Sequence, residues 1–180
     1  MVDFYRLIPR PTVVITTVSQ SGVPNAAPFS FNSPMASRPK PLYGFCCETS
    51  HDTWKNIQLN GEFVVNLVGA DFGPLMEKME RDYPYEVNEI AECKLTEKKS
   101  AAVKPPRIGE AYAWIECWMR EHVELSERSV WIIGEVLHAD VKEGFFDGAL
   151  NVDKANPIFH LWDDKFLTDA KMTIYRRNKG

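Results

Sequence analysis

The chain has 180 residues, of which 44% are hydrophobic and 26% charged, a composition typical of a globular protein with one apolar core. Its formal net charge of -4 excludes the broad basic surface with which proteins neutralise the phosphates of nucleic acids. No apolar run approaches the roughly 20 residues that a membrane-spanning helix needs, and the first residues lack the layout of a signal peptide. We therefore expect a cytoplasmic protein with neither nucleic acid nor a membrane as a partner.

The first β-strand pattern lies at Thr12 to Val18, a run rich in β-branched residues. Ser19 to Gly22 supplies turn-forming residues directly after it, and a returning strand begins near Val23 and runs through Asn32. Pro28 in the returning strand cannot donate to a sheet ladder. The pattern therefore predicts an edge strand or a bulge there, with main-chain groups left open.

A short apolar strand at Leu42 to Cys47 precedes the second informative segment, Ser50 to Thr53. Hydroxyl and carboxylate side chains in front of the apolar residues Ile57 to Leu59 predict the start of a helix. Asn60-Gly61 would end that helix, and Glu62 to Val68 has the pattern of the next strand.

The second half of the chain contains one long hairpin. Pro74 to Arg81 predicts a short helix before it, and residues 86 to 108 form a connection with little pattern. Tyr112 to Leu125 and Ser129 to Val141 are strand-like runs joined by three residues, which predicts the hairpin. Because strands outnumber helices without sustained alternation, we expect a mainly β fold. The prediction is a barrel with a few short covering helices, formed by residues 1 to 180 as one domain.

Two segments together meet the needs of an FMN cofactor, although the sequence has no glycine-rich nucleotide signature. In Asn25 to Asn32, the small residues Ala26 and Ala27 let the main chain approach a flat ring, and Pro28 frees nearby groups from the ladder. In Ser50 to Thr53, a helix start offers free N–H groups and a partial positive charge to a phosphate. Two hydroxyl groups stand beside that helix start.

Each feature also has an ordinary structural interpretation. Asn25 to Asn32 alone would be a bulged strand, and Ser50 to Thr53 alone would be a helix cap. His122 lies in a predicted strand, where a structural histidine is the simpler interpretation. The four cysteines lack the spacing of metal ligands or of a redox pair, so we expect them to be reduced core residues.

Taken in order, these motifs resemble the flavin reductase-like FMN-binding family, which includes the flavoredoxins. The resemblance implies a split β-barrel that forms a homodimer, with one FMN per subunit near the interface. It also implies oxidoreductase chemistry in which electrons pass from NAD(P)H through the flavin to an acceptor, with no catalytic side chain in the strict sense. The matching segments are Pro9-Arg10-Pro11, Gly22 to Asn32, Asp52 to Ile57, Gly61 to Leu67, Val103 to Ile108 and Ile133 to Val136.

The resemblance further implies which residues bind the cofactor. The segment from Asn25 would meet the isoalloxazine and ribityl chain, and Ser50 to Thr53 the phosphate. Lys104 and Arg107 would add charge to the phosphate or reach a partner subunit, and Trp162 places bulk near the ring where relatives often have glycine. The candidate cofactor-binding residues are Asn25, Ala27, Pro28, Phe29, Ser30, Phe31, Asn32, Ser50, His51, Asp52, Thr53, Lys104, His122 and Trp162.

The predicted hairpin is also the expected dimer interface. Trp114, Trp118 and Trp131 belong to it, and its large apolar side chains outnumber what one small barrel readily encloses. Most soluble oligomers are twofold symmetric, so a second subunit is the natural cover. We expect part of the hairpin to form the apolar centre of that interface.

Three other functions stay open at this point. One is a flavoredoxin-like electron shuttle that takes electrons from a redox protein and has little NAD(P)H activity. Another is a split-barrel module that has lost its flavin and serves as a binding or structural protein, against which the two retained segments argue. The third is an oxidase similar to pyridoxamine-phosphate oxidase, which would be expected to show more basic phosphate ligands than this chain offers.

Overall fold

The structure is a computed structural model that describes residues 1 to 176. Most of its regular elements are strands, and none of the helices within those residues is long and apolar enough to cross a membrane. Two 3-10 segments lie at Phe4–Leu7 and Ala70–Leu75. The strands are β1 (Arg10–Pro11), β2 (Val13–Val18), β3 (Pro24–Phe29), β4 (Asn32–Ala36), β5 (Leu42–Glu48), β6 (Glu62–Leu67), β7 (Glu97–Lys98), β8 (Arg107–Ile108), β9 (Ala113–Ser126), β10 (Ser129–Val141), β11 (Phe159–Trp162) and β12 (Lys165–Leu167). The α-helices are α1 (Asp52–Asn60), α2 (Met76–Met79), α3 (Glu89–Glu92) and α4 (Val152–Ala155).

The main sheet is a barrel that is split between its first and last strands. Its order is β3-β2-β6-β9-β10-β5-β4, and every neighbouring pair is antiparallel. The two edge strands, β3 and β4, are joined by Ser30 and Phe31 alone. A connection of this length spans at most about 11 Å, so the two edges must lie side by side. The sheet therefore curls into the predicted split β-barrel, with an unpaired seam where β3 meets β4.

Apolar side chains fill both faces of the barrel wall. All six residues of β2 are buried, because alternate side chains point into the barrel and out under the covering segments. Inside the barrel, the rings of Phe29, Phe45 and Phe63 follow one another with centroids 5.0 and 5.3 Å apart. Outside it, Val14 and Trp114 belong to a second core that also contains residues of the Ala70–Leu75 segment, α2 and α3. The strand next to the open edge is thus held rigidly from both sides.

Most predicted elements are present, and one has different bounds. The hairpin of β9 and β10 and the strand before α1 are confirmed, and Gly61 ends α1 with φ of 72° as expected. The single helix predicted from Pro74 to Arg81 is wrong, because Pro74 lies inside a 3-10 segment and the α-helical turn runs only from Met76 to Met79. A proline disfavours the α conformation in the residue before it, which delays the regular helix.

The three tryptophans of the hairpin differ in their exposure. Trp114 is 1% exposed, and its indole N–H donates to the carbonyl of Ile108 at 2.8 Å, so it belongs to the core rather than to an interface. Trp118 is 49% exposed and Trp131 is partly exposed. The four cysteines are free thiols, and three of them are buried, as predicted.

Candidate functional site

A cavity of about 720 Å³ opens beside the edge strand β3. Three segments surround it: β3, the start of α1, and the connection that follows α2. It brings together both of the segments singled out in the sequence, which lie on different elements of the fold. The lining residues are Asn25, Ala26, Ala27, Pro28, Ser50, His51, Asp52, Thr53, Lys55, Met79, Glu80, Arg81, Asp82, Tyr83, Tyr85 and Glu89.

The β3 wall is an open strand edge made almost entirely of main chain. Strand β3 pairs on one side only, with β2, as the proline pattern predicts. Ala26 directs its N–H away from β2, towards a carboxylate across the cavity wall. Alternate residues share this direction, so Pro24 and Pro28 lie where a missing N–H breaks no ladder bond. The edge therefore offers carbonyl acceptors and little side-chain bulk to a ligand.

The α1 wall is a helix start without a side-chain cap. His51 stands at the N-cap position, and no side chain among the described residues accepts from the first-turn N–H groups. Its carbonyl accepts from Trp54 and Lys55, so the N–H groups of Asp52 and Thr53 precede the first intrahelical bonds. An uncapped helix start of this kind is suited to an anion. Asp52 is paired with Lys55 at 2.8 Å, which offsets its negative charge beside that position.

A buried polar network holds these two walls together. Asn25 Oδ1 accepts from the hydroxyl groups of Thr17 at 3.1 Å and Thr53 at 3.0 Å. Asn56 donates to the Thr17 hydroxyl at 2.9 Å and accepts from the Tyr85 hydroxyl at 2.6 Å. The Thr53 hydroxyl is therefore used inside the fold, and its main-chain N–H is the group left to face the cavity. Buried networks that are satisfied in this way rigidify a site.

Glu89 closes the network, and the sequence analysis did not identify it. Its two carboxylate oxygens accept from Asn25 Nδ2 at 3.0 Å and from the N–H of Ala26 at 3.1 Å. The residue is 6% exposed, and burial raises the pKa of its carboxyl above the ordinary value. It lies in the connection with little sequence pattern, where no local signal distinguishes a buried carboxylate from a solvated one.

Tyr83 lines the cavity, and its hydroxyl oxygen is buried. No hydrogen bond of normal geometry joins that oxygen to the described residues. The Arg81 guanidinium is close enough to act on it by charge and as a donor, and Arg81 also donates to Glu77. A buried hydroxyl without a partner costs free energy unless a ligand or water satisfies it.

Four further candidates on the β3–β4 link lie outside the cavity lining. Phe29 is 8% exposed and belongs to the barrel core. The Ser30 hydroxyl lies 3.3 Å from Arg10 Nε and 3.3 Å from a ring nitrogen of His160. Phe31 and Asn32 complete the set: the Arg10 guanidinium lies 4.8 Å from the centroid of the Phe31 ring, and Asn32 accepts from Tyr43 at 2.5 Å. These side chains fasten the link between the two edges of the split barrel.

The remaining candidates are also separated from the cavity within one chain. Lys104 is exposed, and its main-chain N–H donates to Glu62 at 3.1 Å. The His122 ring packs edge-on against Trp54 with centroids 5.0 Å apart. Trp162 is 38% exposed, and the guanidinium of Arg6 lies 3.8 Å from its ring centroid.

Arg107 is not available to a phosphate, contrary to the expectation from the sequence. Its side chain is 4% exposed and pairs with Glu116 at 2.6 Å and with Asp140 at 2.8 Å. Glu116 is fully buried and also accepts from the N–H groups of Ala101 and Ala102. Arg107 therefore anchors the loop before β8, and removing it would leave a buried carboxylate without its countercharge.

The residues present fit a flavin nucleotide. The cavity has the size of known cofactor sites, one wall offers carbonyl acceptors to a ring edge, and the opposite wall offers unpaired N–H groups to a phosphate. Tyr83 and Tyr85 add aromatic rings to the lining of the same space. Fold and cavity together define a split-barrel protein with a site for a flavin-sized cofactor.

The chain belongs to the family of flavin reductase like domains, whose family model matches residues 4–156. This membership supports a flavin-binding oxidoreductase. An uncharacterized protein of Methanothermobacter thermautotrophicus is 33% identical over 165 residues, which cover 88% of this chain and 77% of that protein. Nitrilotriacetate monooxygenase component B from Bacillus cereus has a similar structure, with a TM-score of 0.87, 26% identity, and coverage of 96% of this chain and 93% of that one. The flavoredoxin of Desulfovibrio vulgaris shares the fold at a TM-score of 0.83 and 17% identity, over 95% of this chain and 92% of that one.

Proposed function

We propose that the protein binds FMN in the cavity beside β3 and passes electrons from NAD(P)H through the flavin to an acceptor. The observation that carries this proposal is the pairing of an open strand edge with an uncapped helix start across one cavity of about 720 Å³. A flat isoalloxazine ring needs an open strand edge to hydrogen-bond with, and a phosphate needs the free N–H groups of a helix start. The flavin, when bound, would supply the redox chemistry, accepting a hydride from NAD(P)H and passing the electrons on.

The chain's own residues bind and orient the cofactor in this proposal. The N–H groups at Asp52 and Thr53, with the exposed hydroxyl of Ser50 and the ring of His51, hold the phosphate. Carbonyl groups of the β3 edge accept from the ring, and Ala27 leaves room for it. No side chain in the cavity is required to act as nucleophile or general base.

The proposal specifies FMN rather than FAD. A single helix start suits a terminal phosphate, and the sequence has no glycine-rich turn of the kind that binds a pyrophosphate. Titration of the apoprotein with both flavins, followed by quenching of flavin fluorescence, tests this. Equal or tighter binding of FAD would remove the start of α1 as a terminal phosphate site.

A homodimer completes the proposed assembly. The β9–β10 hairpin carries exposed apolar side chains on both strands: Trp118, Val123 and Leu125 on β9 and Leu137 on β10, each at least 47% exposed. Exposed apolar groups on one two-stranded ribbon are typical of an interface rather than of a solvated surface. A second subunit on this ribbon would bring His122 and Lys104 towards a neighbouring site, in keeping with the roles that the resemblance implies.

One anaerobic experiment tests the electron donor. Reconstituted holoprotein should lose its flavin absorbance when NADH or NADPH is added without air, and regain it when an acceptor is admitted. Bleaching by a reduced redox protein, but not by either nicotinamide, would assign the flavoredoxin-like shuttle instead. A protein that binds no flavin at all would refute both functions.

A further inference from the structure

The open edge of β3 has one outward N–H in its central stretch, and that N–H is already occupied. Residues 24, 26 and 28 face away from β2, and the first and third are prolines, which have no N–H. Ala26 therefore carries the single outward donor between them. Its N–H is bound by Glu89 at 3.1 Å. The carboxylate thus acts as the hydrogen-bonding partner that a neighbouring strand would otherwise provide.

Glu89 is held firmly in the position from which it does this. It is the first residue of α3, where the preceding Asn88 caps the helix by accepting from Ala91 at 3.2 Å. Ile90, the next residue, is fully buried in the outer core. The second carboxylate oxygen of Glu89 accepts from Asn25 Nδ2 at 3.0 Å. One side chain therefore fixes both the main chain and a side chain of the cavity edge.

We propose that Glu89, in its ionised form, is a positioning residue that holds Asn25 and Ala26 in the geometry needed to bind the flavin. This inference rests on the proposed function and deepens it, because it assigns a role to a residue outside the predicted site. The Asn25 amide group and the Ala26 N–H both donate to Glu89, one to each carboxylate oxygen, and only an ionised carboxylate accepts at both oxygens. A protonated acid or an amide would turn a donor towards one of them.

The pKa of Glu89 depends on its burial and on the groups that face it. Burial raises the pKa most, hydrogen bonds from its own main-chain N–H, from Ala26 and from Asn25 oppose this, and Asp52 on α1 acts in the raising direction, so the pKa is raised overall. The Cys93 thiol, four residues after Glu89 in the chain, is close enough to interact with Glu89 by charge. Lys78 and Arg81 interact with that thiol in the same way. Glu80 and Asp82 line the same cavity, and Lys55 is paired with Asp52. Strand β3 itself contributes no ionisable side chain.

Protonation of Glu89 should stabilise the fold but weaken flavin binding. These opposite effects distinguish a positioning role from a merely structural one. Because the folded pKa is raised, protonation of Glu89 as the pH falls favours the folded state. The same protonation removes one of the two hydrogen bonds to the edge and should weaken flavin binding. A residue with only a structural role would move stability and binding together.

The test compares Glu89→Gln with Glu92→Gln, which removes the same charge from an exposed position of the same short helix. Each apoprotein is titrated with FMN between about pH 5 and pH 8, and exchange of the Ala26 amide is measured by NMR without flavin. Glu89→Gln should weaken FMN binding about tenfold at neutral pH and flatten its pH profile. It should also speed exchange at Ala26 relative to Ala27. Glu92→Gln should behave as the wild type.

The outcomes distinguish this inference from the proposed function. Unchanged affinity and unchanged Ala26 protection in Glu89→Gln would overturn the role of Glu89, even if the wild type binds FMN. A wild type that binds no flavin would refute the proposed function, while the amide exchange would still test the contact. If Glu89→Gln does not fold, the wild type alone decides: protection of Ala26 relative to Ala27 must fall as Glu89 is protonated, and constant protection would sink the proposal.

Discussion

The Thr53 hydroxyl donates a 3.0 Å hydrogen bond to Oδ1 of Asn25, and so joins the first turn of α1 to the edge strand β3. Thr53 is 1% exposed and Asn25 is 8% exposed, so the bond lies away from solvent. The two segments that the sequence suggests for phosphate and ring are thereby fixed relative to each other before any ligand arrives. Preorganisation of this kind lowers the entropic cost of binding.

Thr53→Val and Ser50→Ala should therefore have different effects. The valine keeps the shape of Thr53 but removes a buried hydrogen bond, so we expect a loss of about 1–2 kcal/mol in unfolding free energy together with weaker FMN binding. Ser50 is exposed, so its alanine variant should weaken FMN binding and leave stability unchanged. Urea unfolding and flavin titration of both variants give the comparison. Equal stability of the two would show that the Thr53 bond contributes nothing to the fold.

Tyr83→Phe removes the buried hydroxyl beside Arg81. Because this hydroxyl makes no hydrogen bond of normal geometry to the described residues, the variant should be about as stable as the wild type, while FMN binding weakens several-fold. Tyr85→Phe is the matched control, since its hydroxyl donates to Asn56 at 2.6 Å and its loss should cost about 1 kcal/mol of stability. If Tyr83→Phe binds FMN as the wild type does, the Tyr83 hydroxyl does not contact the cofactor.

Arg107→Ala should be strongly destabilising, by about 3–5 kcal/mol, because it leaves Glu116 buried without its countercharge. Thermal and urea unfolding measure the effect. Arg81→Ala, which removes an exposed arginine whose ion pair is to Glu77, is the control and should leave stability nearly unchanged. A mild effect of Arg107→Ala would mean that water or another cation replaces the guanidinium.

The buried pair of Arg107 and Glu116 also predicts how the stability of the protein depends on pH. Burial acts to raise the pKa of Glu116, but hydrogen bonds from Ala101, Ala102 and Arg107 outweigh it and the pKa is lowered. A carboxyl with a lowered folded pKa contributes stability above its unfolded pKa and loses it as the pH falls through the folded value. Wild-type stability should therefore fall below about pH 4.5, and Glu116→Gln should remove part of that slope. An unchanged slope would assign acid sensitivity to other carboxyls.

The oligomeric state should depend on the exposed apolar side chains of the hairpin. Light scattering on the holoprotein across a wide dilution range should give a dimer, and Val123→Lys, at a position 48% exposed on β9, should shift it towards monomer. Leu59→Lys, at an apolar position on α1 that is 61% exposed, is the control. A wild type that is monomeric and keeps its FMN at every concentration would refute the dimer.

The sequence predicts those parts of the molecule that depend on local pattern. Pro28 marks an edge strand, the run before Ile57 marks a helix start, and two strand-like runs joined by three residues mark a long hairpin, because each feature is encoded locally. The split barrel followed from a resemblance over most of the chain. Its closure is visible physically only in the sheet order, where consecutive strands form opposite edges.

Features that depend on distant partners could not be predicted. Glu89 binds a main-chain group 63 residues earlier in the chain, and nothing around it indicates burial. The resemblance implied that Arg107 would meet the phosphate or a partner subunit, whereas its actual partners lie on β9 and β10. Composition and resemblance placed some of the three hairpin tryptophans at an interface, but neither could show which of them faces the core.

The proline spacing of β3 also bears on solubility. Exposed strand edges are templates for the addition of strands from other molecules, and proteins suffer aggregation where such edges are flat and unprotected. With Pro24 and Pro28 flanking Ala26, and a carboxylate already seated on its N–H, an approaching strand finds no free donor in this stretch and meets a negative charge. The edge is therefore open to a small ligand and closed to polymerisation, so a variant that lacks the Glu89 carboxylate should form intermolecular β-structure more readily on storage.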